Sequence, residues 1–226
     1  MGLALVVFDL DGTLIDSQID LANSVNAMLR HLGRPEQPHA VIAGYIGDGV
    51  SMLVRRALGD PEGDLHDVEY VDGALTFFLD YYRVHKLDFT YVYAGVVEAL
   101  EAIRAEWPSL PMAVLTNKPV RPSREICAHF KLDRFFFQNY GGNSFHTKKP
   151  DPTGLLALIH EAAAHPHQTV MVGDSSVDIL TAKNCGARSL GCTFGLAPHT
   201  LAAAGPDAVV DSPAEWLPAL RSLSAL

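Results

Sequence analysis

Six short apolar runs punctuate the chain, at residues 3–8, 112–115, 135–137, 169–172, 187–190 and 208–210. The run 3–8 is rich in branched residues and ends abruptly, which is the pattern of a buried parallel strand, and those at 112–115, 169–172 and 187–190 also resemble strands. The run 135–137 is a weaker strand pattern, and 208–210 reads as an edge. Helical periods lie between most of them: Val97, Leu100, Ile103 and Trp107 share one helix face, and Leu155, Leu158 and Ile159 share another. Strand and helix alternating in this way predict an α/β fold, a parallel sheet with helices on both faces.

Residues 15–92 break the alternation. Leu21, Val25, Met28 and Leu32 step by four, three and four, and Gly33 is placed to end that helix. Val50, Leu53, Val54 and Leu58 predict a second helix ending at Gly59, and Val71, Leu75, Phe78 and Tyr82 a third. No strand is expected there. The division that follows is an α/β core from residues 1–14 and 93–226, with an all-helical cap domain at 15–92. A helical insert directly after the first strand would sit over the sheet's carboxyl edge, where it could cover a site and exclude water.

The 226 residues and 48% apolar content allow a substantial core. A net charge of −9 argues against a nucleic-acid surface but leaves room for a small phosphorylated substrate. Cys127, Cys185 and Cys192 are odd in number and form no C-x-x-C pair, which suits a reducing compartment. No run has membrane-spanning length, and the first is too short for a signal peptide. The expectation is a cytoplasmic protein that binds neither membrane nor nucleic acid.

Chemistry concentrates where the apolar runs stop. Asp9-Leu10-Asp11-Gly12-Thr13 follows the first run, and the carboxyl ends of strands are where ligands bind in open α/β sheets. Such a pair of carboxylates can hold a hard cation, supply a nucleophile or donate a proton. Thr116 and Asn117 follow the second long run and can cradle phosphate, although Thr116 alone reads better as a helix N-cap. Lys148 and Lys149 precede Pro150-Asp151-Pro152, either as a fixed ammonium or as an exposed basic loop. Asp174 and Asp178, in Gly173-Asp174-Ser175-Ser176-Val177-Asp178, lie one helical turn apart; they can converge, or simply suit a helix N-terminus. Four acidic residues at two strand ends imply a divalent, oxygen-seeking cation, with Mg²⁺ the best fit. Gly44, Gly47 and Gly49 follow no strand and predict a loop between helices; His160, His165 and His167 lack zinc spacing.

In order, DLDGT (9–13), LTNK (115–118), KKPDP (148–152) and GDSSVD (173–178) resemble the four motifs of the haloacid dehalogenase superfamily. Within it the text is most similar to phosphoglycolate phosphatases. The resemblance implies a Rossmann-like doubly wound core, a helical cap of the first type and a Mg²⁺-dependent phosphatase working through an aspartyl-phosphate. It implies Asp9 as nucleophile and Asp11 as acid and base. The metal would be held by Asp9, the Asp11 carbonyl and Asp174, with Asp178 behind them. Thr116, Asn117 and Lys149 would hold the phosphoryl group; Lys149 is preferred to Lys148 because it directly precedes proline. Asp11 disfavours a dehalogenase, which lacks that carboxylate. A phosphosugar mutase, a pyrophosphatase or nucleotidase, and a catalytically silent binding protein are the alternatives. Substrate choice would fall to the cap, with Gly47, Asp48, Gly49 and Arg55 as candidates and Arg56 beside them. A monomer or a homodimer is expected.

Overall fold

A computed structural model describes residues 2–225. In chain order the strands are β1 (Leu5–Phe8), β2 (Ile15–Asp16), β3 (Tyr91–Val92), β4 (Met112–Leu115), β5 (Gln138–Tyr140), β6 (Thr169–Gly173), β7 (Arg188–Cys192) and β8 (Ala208–Val210). The helices are α1 (Gln18–His31), α2 (His39–Ala43), α3 (Val50–Leu58), α4 (Val68–His85), α5 (Val96–Glu106), α6 (Val120–His129), α7 (Thr153–Glu161), α8 (Ser176–Cys185), α9 (Leu201–Ala204) and α10 (Trp216–Ser224).

Six strands form one parallel sheet in the order β5-β4-β1-β6-β7-β8. Side chains of β1 alternate between two apolar layers, which is why its residues show no polar alternation. Val6 and Phe8 pack with Leu100 and Ile103 of α5 and Trp216 of α10. Leu5 and Val7 pack with Leu155 and Leu158 of α7 and Ala182 of α8. From β1 the sheet grows one way through β4 and β5, then restarts on the other side of β1 with β6. Strand order therefore reverses at β1, and a crevice opens at the carboxyl ends there.

Two strand expectations are corrected. The run 135–137 is not a strand: Phe135 closes a 3₁₀ turn and is buried in the core, and β5 starts at Gln138. An aromatic run fills space as well from a turn as from a strand, and the true edge strand is polar. Nor is the stretch 15–92 free of strand, since β2 and β3 pair antiparallel at its two ends, Ile15 opposite Val92 and Asp16 opposite Tyr91. Two-residue strands carry no readable period.

Between them, α1, α3 and α4 build a separate apolar cluster from Leu21, Val25, Met28, Leu53, Val54, Leu58, Val71, Phe78 and Tyr82. These are the three predicted stripes. The short α2 was not anticipated; it precedes the glycine loop at 44–49. Buried Asp20 ties the ends of the insert together, accepting from the Phe89 N–H at 3.0 Å, the Thr90 N–H at 2.8 Å and the Thr90 hydroxyl at 2.7 Å.

Candidate active site

Phe8 lies between Val114 and Val172 in register, so the residues after β1, β4 and β6 emerge side by side. That placement gathers Asp9, Asp11, Thr116, Asn117 and Asp174 at one edge. The loop before α7 adds Lys149.

Lys149 is buried, with its Nζ 2.9 Å from Asp9 Oδ1 and 2.6 Å from Asp178 Oδ1. Burial alone would lower its pKa, but the carboxylates of Asp178 and Asp9 outweigh it and raise the pKa above the ordinary lysine value. Asp178 uses its other oxygen to accept the Ser175 N–H at 3.1 Å and the Ser175 hydroxyl at 2.8 Å. Both its oxygens are therefore engaged, and it acts as a strut for Lys149.

Asp174 Oδ2 accepts the N–H groups of Leu196 at 2.7 Å and Ala197 at 3.1 Å. Two glycines make room for it. A Cβ on Gly12, whose φ is +88°, would lie 2.3 Å from Asp174 Oδ2, and one on Gly195 would lie 2.2 Å from Asp174 Cβ. Burial pushes the carboxyl of Asp9 up to about 6, with Lys149 pulling it partly back. Burial, reinforced by Asp178 and Asp9, pushes Asp174 up to about 8. Carboxylate oxygens of Asp9, Asp174 and Asp178 lie within 4.8 Å of one another. A buried, all-oxygen donor set with excess negative charge fits a hard divalent cation. With Asp178 committed to Lys149, Asp9 and Asp174 are the side chains with capacity left for it.

Asp11 is partly buried. It accepts the Ser17 hydroxyl at 2.5 Å, and both its oxygens lie 2.9 Å from Lys118 Nζ. Thr116 is buried and sits ahead of α6, whose N-cap is Pro119, so its hydroxyl is not that helix's cap; it accepts the Lys118 N–H at 3.2 Å. The Asn117 amide donates to Lys149 O at 3.0 Å and to Gly47 O of the insert at 3.1 Å. Lys148 is exposed, and its ammonium donates to the Asp48 carbonyl. It does not enter the carboxylate cluster, in line with the preference for Lys149.

A cavity between Asp9 and the insert is lined by Thr116, Asn117, Gly47, Gly49, Leu53 and Phe78, among others. Gly47 and Gly49 thus line the cavity beside Asp9. Asp48 and Arg55 do not line it. The Asp48 carboxylate pairs with Arg56, and Arg55 lies 3.4 Å from buried Asp60, so each is held by a neighbour within the insert. Two lining residues with polar side chains, Lys118 and Tyr82, had no assigned role from sequence. Lys118 belonged to a recognised motif but carried no role, and Tyr82 was read as part of an apolar stripe.

Residues 6–192 match the haloacid dehalogenase-like hydrolase family. A phosphoglycolate phosphatase of Pseudomonas putida is 39% identical over 95% of this chain and 78% of its own. One from Chromobacterium violaceum is 37% identical over 93% of both chains. The crystal structure of a predicted phosphoglycolate phosphatase from Haemophilus somnus superimposes with a TM-score of 0.88 at 31% identity, covering 96% of this chain and 97% of its own. The chain belongs to the haloacid dehalogenase-like hydrolases, and within them to the phosphatases.

Proposed function

We propose that the protein hydrolyses 2-phosphoglycolate to glycolate and phosphate, with Mg²⁺ as cofactor, in the cytoplasm. The observation that carries the chemistry is the convergence of Asp9, Asp11, Lys149 and Asp174 on one crevice at the reversal of strand order. The names of the relatives supply the substrate. Three free thiols accord with a reducing compartment.

In this reading an Asp9 carboxylate oxygen attacks phosphorus. The bond from phosphorus to the glycolate oxygen breaks, and Asp11 gives that oxygen a proton. Water then attacks the phosphoryl-Asp9, Asp11 takes its proton, and phosphate leaves with Asp9 restored. Lys149, Thr116 and the Asn117 N–H neutralise the phosphoryl oxygens. Asp9, the Asp11 carbonyl and Asp174 would hold Mg²⁺, which would supply charge neutralisation and orientation. Asp178 keeps Lys149 in place. The helical insert acts as the cap that selects substrate and excludes water.

The test is phosphate release from 2-phosphoglycolate, with Mg²⁺ and with a chelator, beside hexose phosphates, pyrophosphate and nucleoside monophosphates. A metal-dependent preference in kcat/KM for 2-phosphoglycolate is expected. A stronger preference for any other ester would replace the substrate and leave the mechanism standing.

A further inference from the structure

The cavity above Asp9 is chemically lopsided. Its roof comes from the insert, with Leu21, Ile46, Leu53 and Phe78, and Tyr82 is the one lining side chain of the insert that bears a polar atom. Such a roof offers no set of side-chain donors for the hydroxyls of a sugar. Lys118 is the one cation among the described lining residues. The other buried lysine at the site, Lys149, bridges Asp9 and Asp178 and is the one assigned above to the phosphoryl oxygens.

Lys118 is held in place yet has capacity left. Its side chain is 4% exposed, and it pairs with both oxygens of Asp11. An ammonium carries three donors, so one remains beyond those two contacts. Close by, the Tyr82 hydroxyl is buried, with the Lys118 ammonium as its one polar neighbour and no other hydrogen-bond partner among the described residues. Lys118 Nζ stands 4.8 Å from the centre of the Tyr82 ring. An ammonium and a phenol side by side on one apolar wall match the two oxygens of a carboxylate, which gains most from a charge-assisted bond in a desolvated place. Leaving buried donors unpaired is costly, so the same pair disfavours a ligand without that group.

We propose that Lys118 and Tyr82 form the subsite for the substrate's carboxylate, across the cavity from the phosphoryl group at Asp9. Lys118 comes from the core and Tyr82 from α4, so the subsite exists only with the insert seated over the core. This rests on the reading of the substrate as a short phosphoester with a second anionic group. It also moves the source of selectivity away from Arg55.

The experiment compares two esters on the full chain with Mg²⁺: 2-phosphoglycolate, and 2-hydroxyethyl phosphate, in which CH₂OH replaces the carboxylate. The reading is the ratio of their kcat/KM values. Lys118→Met is expected to lower the ratio by about ten- to a hundredfold, the scale of one charge-assisted hydrogen bond, mainly through KM for 2-phosphoglycolate. Tyr82→Phe is expected to lower it by about three- to tenfold. Lys118→Arg should retain more of the ratio than Lys118→Met. A role confined to holding Asp11 would slow both esters alike, so a ratio unchanged in Lys118→Met and in Tyr82→Phe overturns the subsite. Should Lys118→Met turn over too slowly to time, calorimetric binding of 2-phosphoglycolate in an Asp9→Asn background decides, weaker binding being expected and equal binding overturning. A wild-type protein that treats the two esters equally overturns the substrate reading and the subsite together. A wild-type preference that survives both substitutions overturns the subsite alone.

Discussion

The floor of the cavity and its roof are built on opposite principles. On the floor Asp9 is buried and backed by buried Lys149, Asp174 and Asp178, and each of the four is fixed by charge partners or backbone N–H groups. The roof is a helical surface whose lining is apolar except at Tyr82. A floor of this kind is expensive to assemble and tolerates little change, because buried charges are stable only when paired. A roof of this kind can exchange one apolar side chain for another at small cost. We therefore assign reaction chemistry to the first, and discrimination between substrates to the second together with Lys118 beside it.

The severest challenge to that division is Asp9→Asn. It should lower kcat by about a thousandfold or more, since the nucleophile is gone, while the thermal midpoint moves by no more than about 5 °C. Steady-state kinetics and a melting curve check both halves, and retained turnover would move the chemistry elsewhere.

Lys149→Met should be worse for the fold. It strands Asp9 and Asp178 without their cation, and about 3–5 kcal/mol of stability should be lost, measured by urea unfolding. Gly195→Ala follows at about 1–3 kcal/mol, because its methyl group would press on Asp174 and on the Gly12 carbonyl. An unchanged urea midpoint would mean that this approach is looser than it stands.

A pH series sharpens the account of the floor. Asp9 and Asp174 have raised folded-state values, so the metal-free folded state holds protons that the unfolded chain has released. Their contribution to stability is therefore present at low pH. It falls as pH rises from the unfolded carboxylate value of 3.8 through about 6 for Asp9 and about 8 for Asp174. A divalent cation binds the deprotonated form, so the gain in Tm on adding Mg²⁺ should be larger at pH 8 than at pH 5. Equal gains would contradict the proposed ligands.

The roof should give the smallest effects. Ile46 is only partly buried and lines the cavity, so Ile46→Ala should shift KM by about two- to fivefold, with kcat for a small ester held within about twofold. A large fall in kcat would show that the roof shares in the chemistry.

The same contrast explains what the sequence disclosed. Four central strands, the helical stripes and the carboxylate loops were readable because each is a run or a period long enough to stand out. The fifth strand was misplaced because aromatic Phe135 packs from a turn while the polar Gln138-Asn139-Tyr140 carries the pairing. The paired strands at Ile15 and Tyr91 were invisible because two residues hold no pattern. At the site, Asp9, Lys149 and Asp174 could be placed together from motif order. The pairing of Lys118 with Asp11 could not, since a lysine in a loop reads as solvated until the tertiary structure buries it. Arg55 looked like an anion receptor for the converse reason: its partner Asp60 is five residues away and hidden in a loop.

The paired strands β2 and β3 have a consequence for engineering. The chain leaves the sheet at Asp16 and returns at Tyr91, adjacent in one ladder, with Asp20 clasping Phe89 and Thr90 beside it. The two chain crossings between the core and residues 17–90 therefore lie side by side. A replacement segment joined at those two residues leaves the order of the six-stranded sheet untouched, and it has to supply its own clasp, a loop whose carbonyls meet Asn117 and Lys148 as those of Gly47 and Asp48 do, and a partner for Glu125 in place of Lys86. Exchange at these two residues is expected to change the preferred ester while the Asp9 cluster is kept, checked by kcat/KM on a panel of phosphoesters.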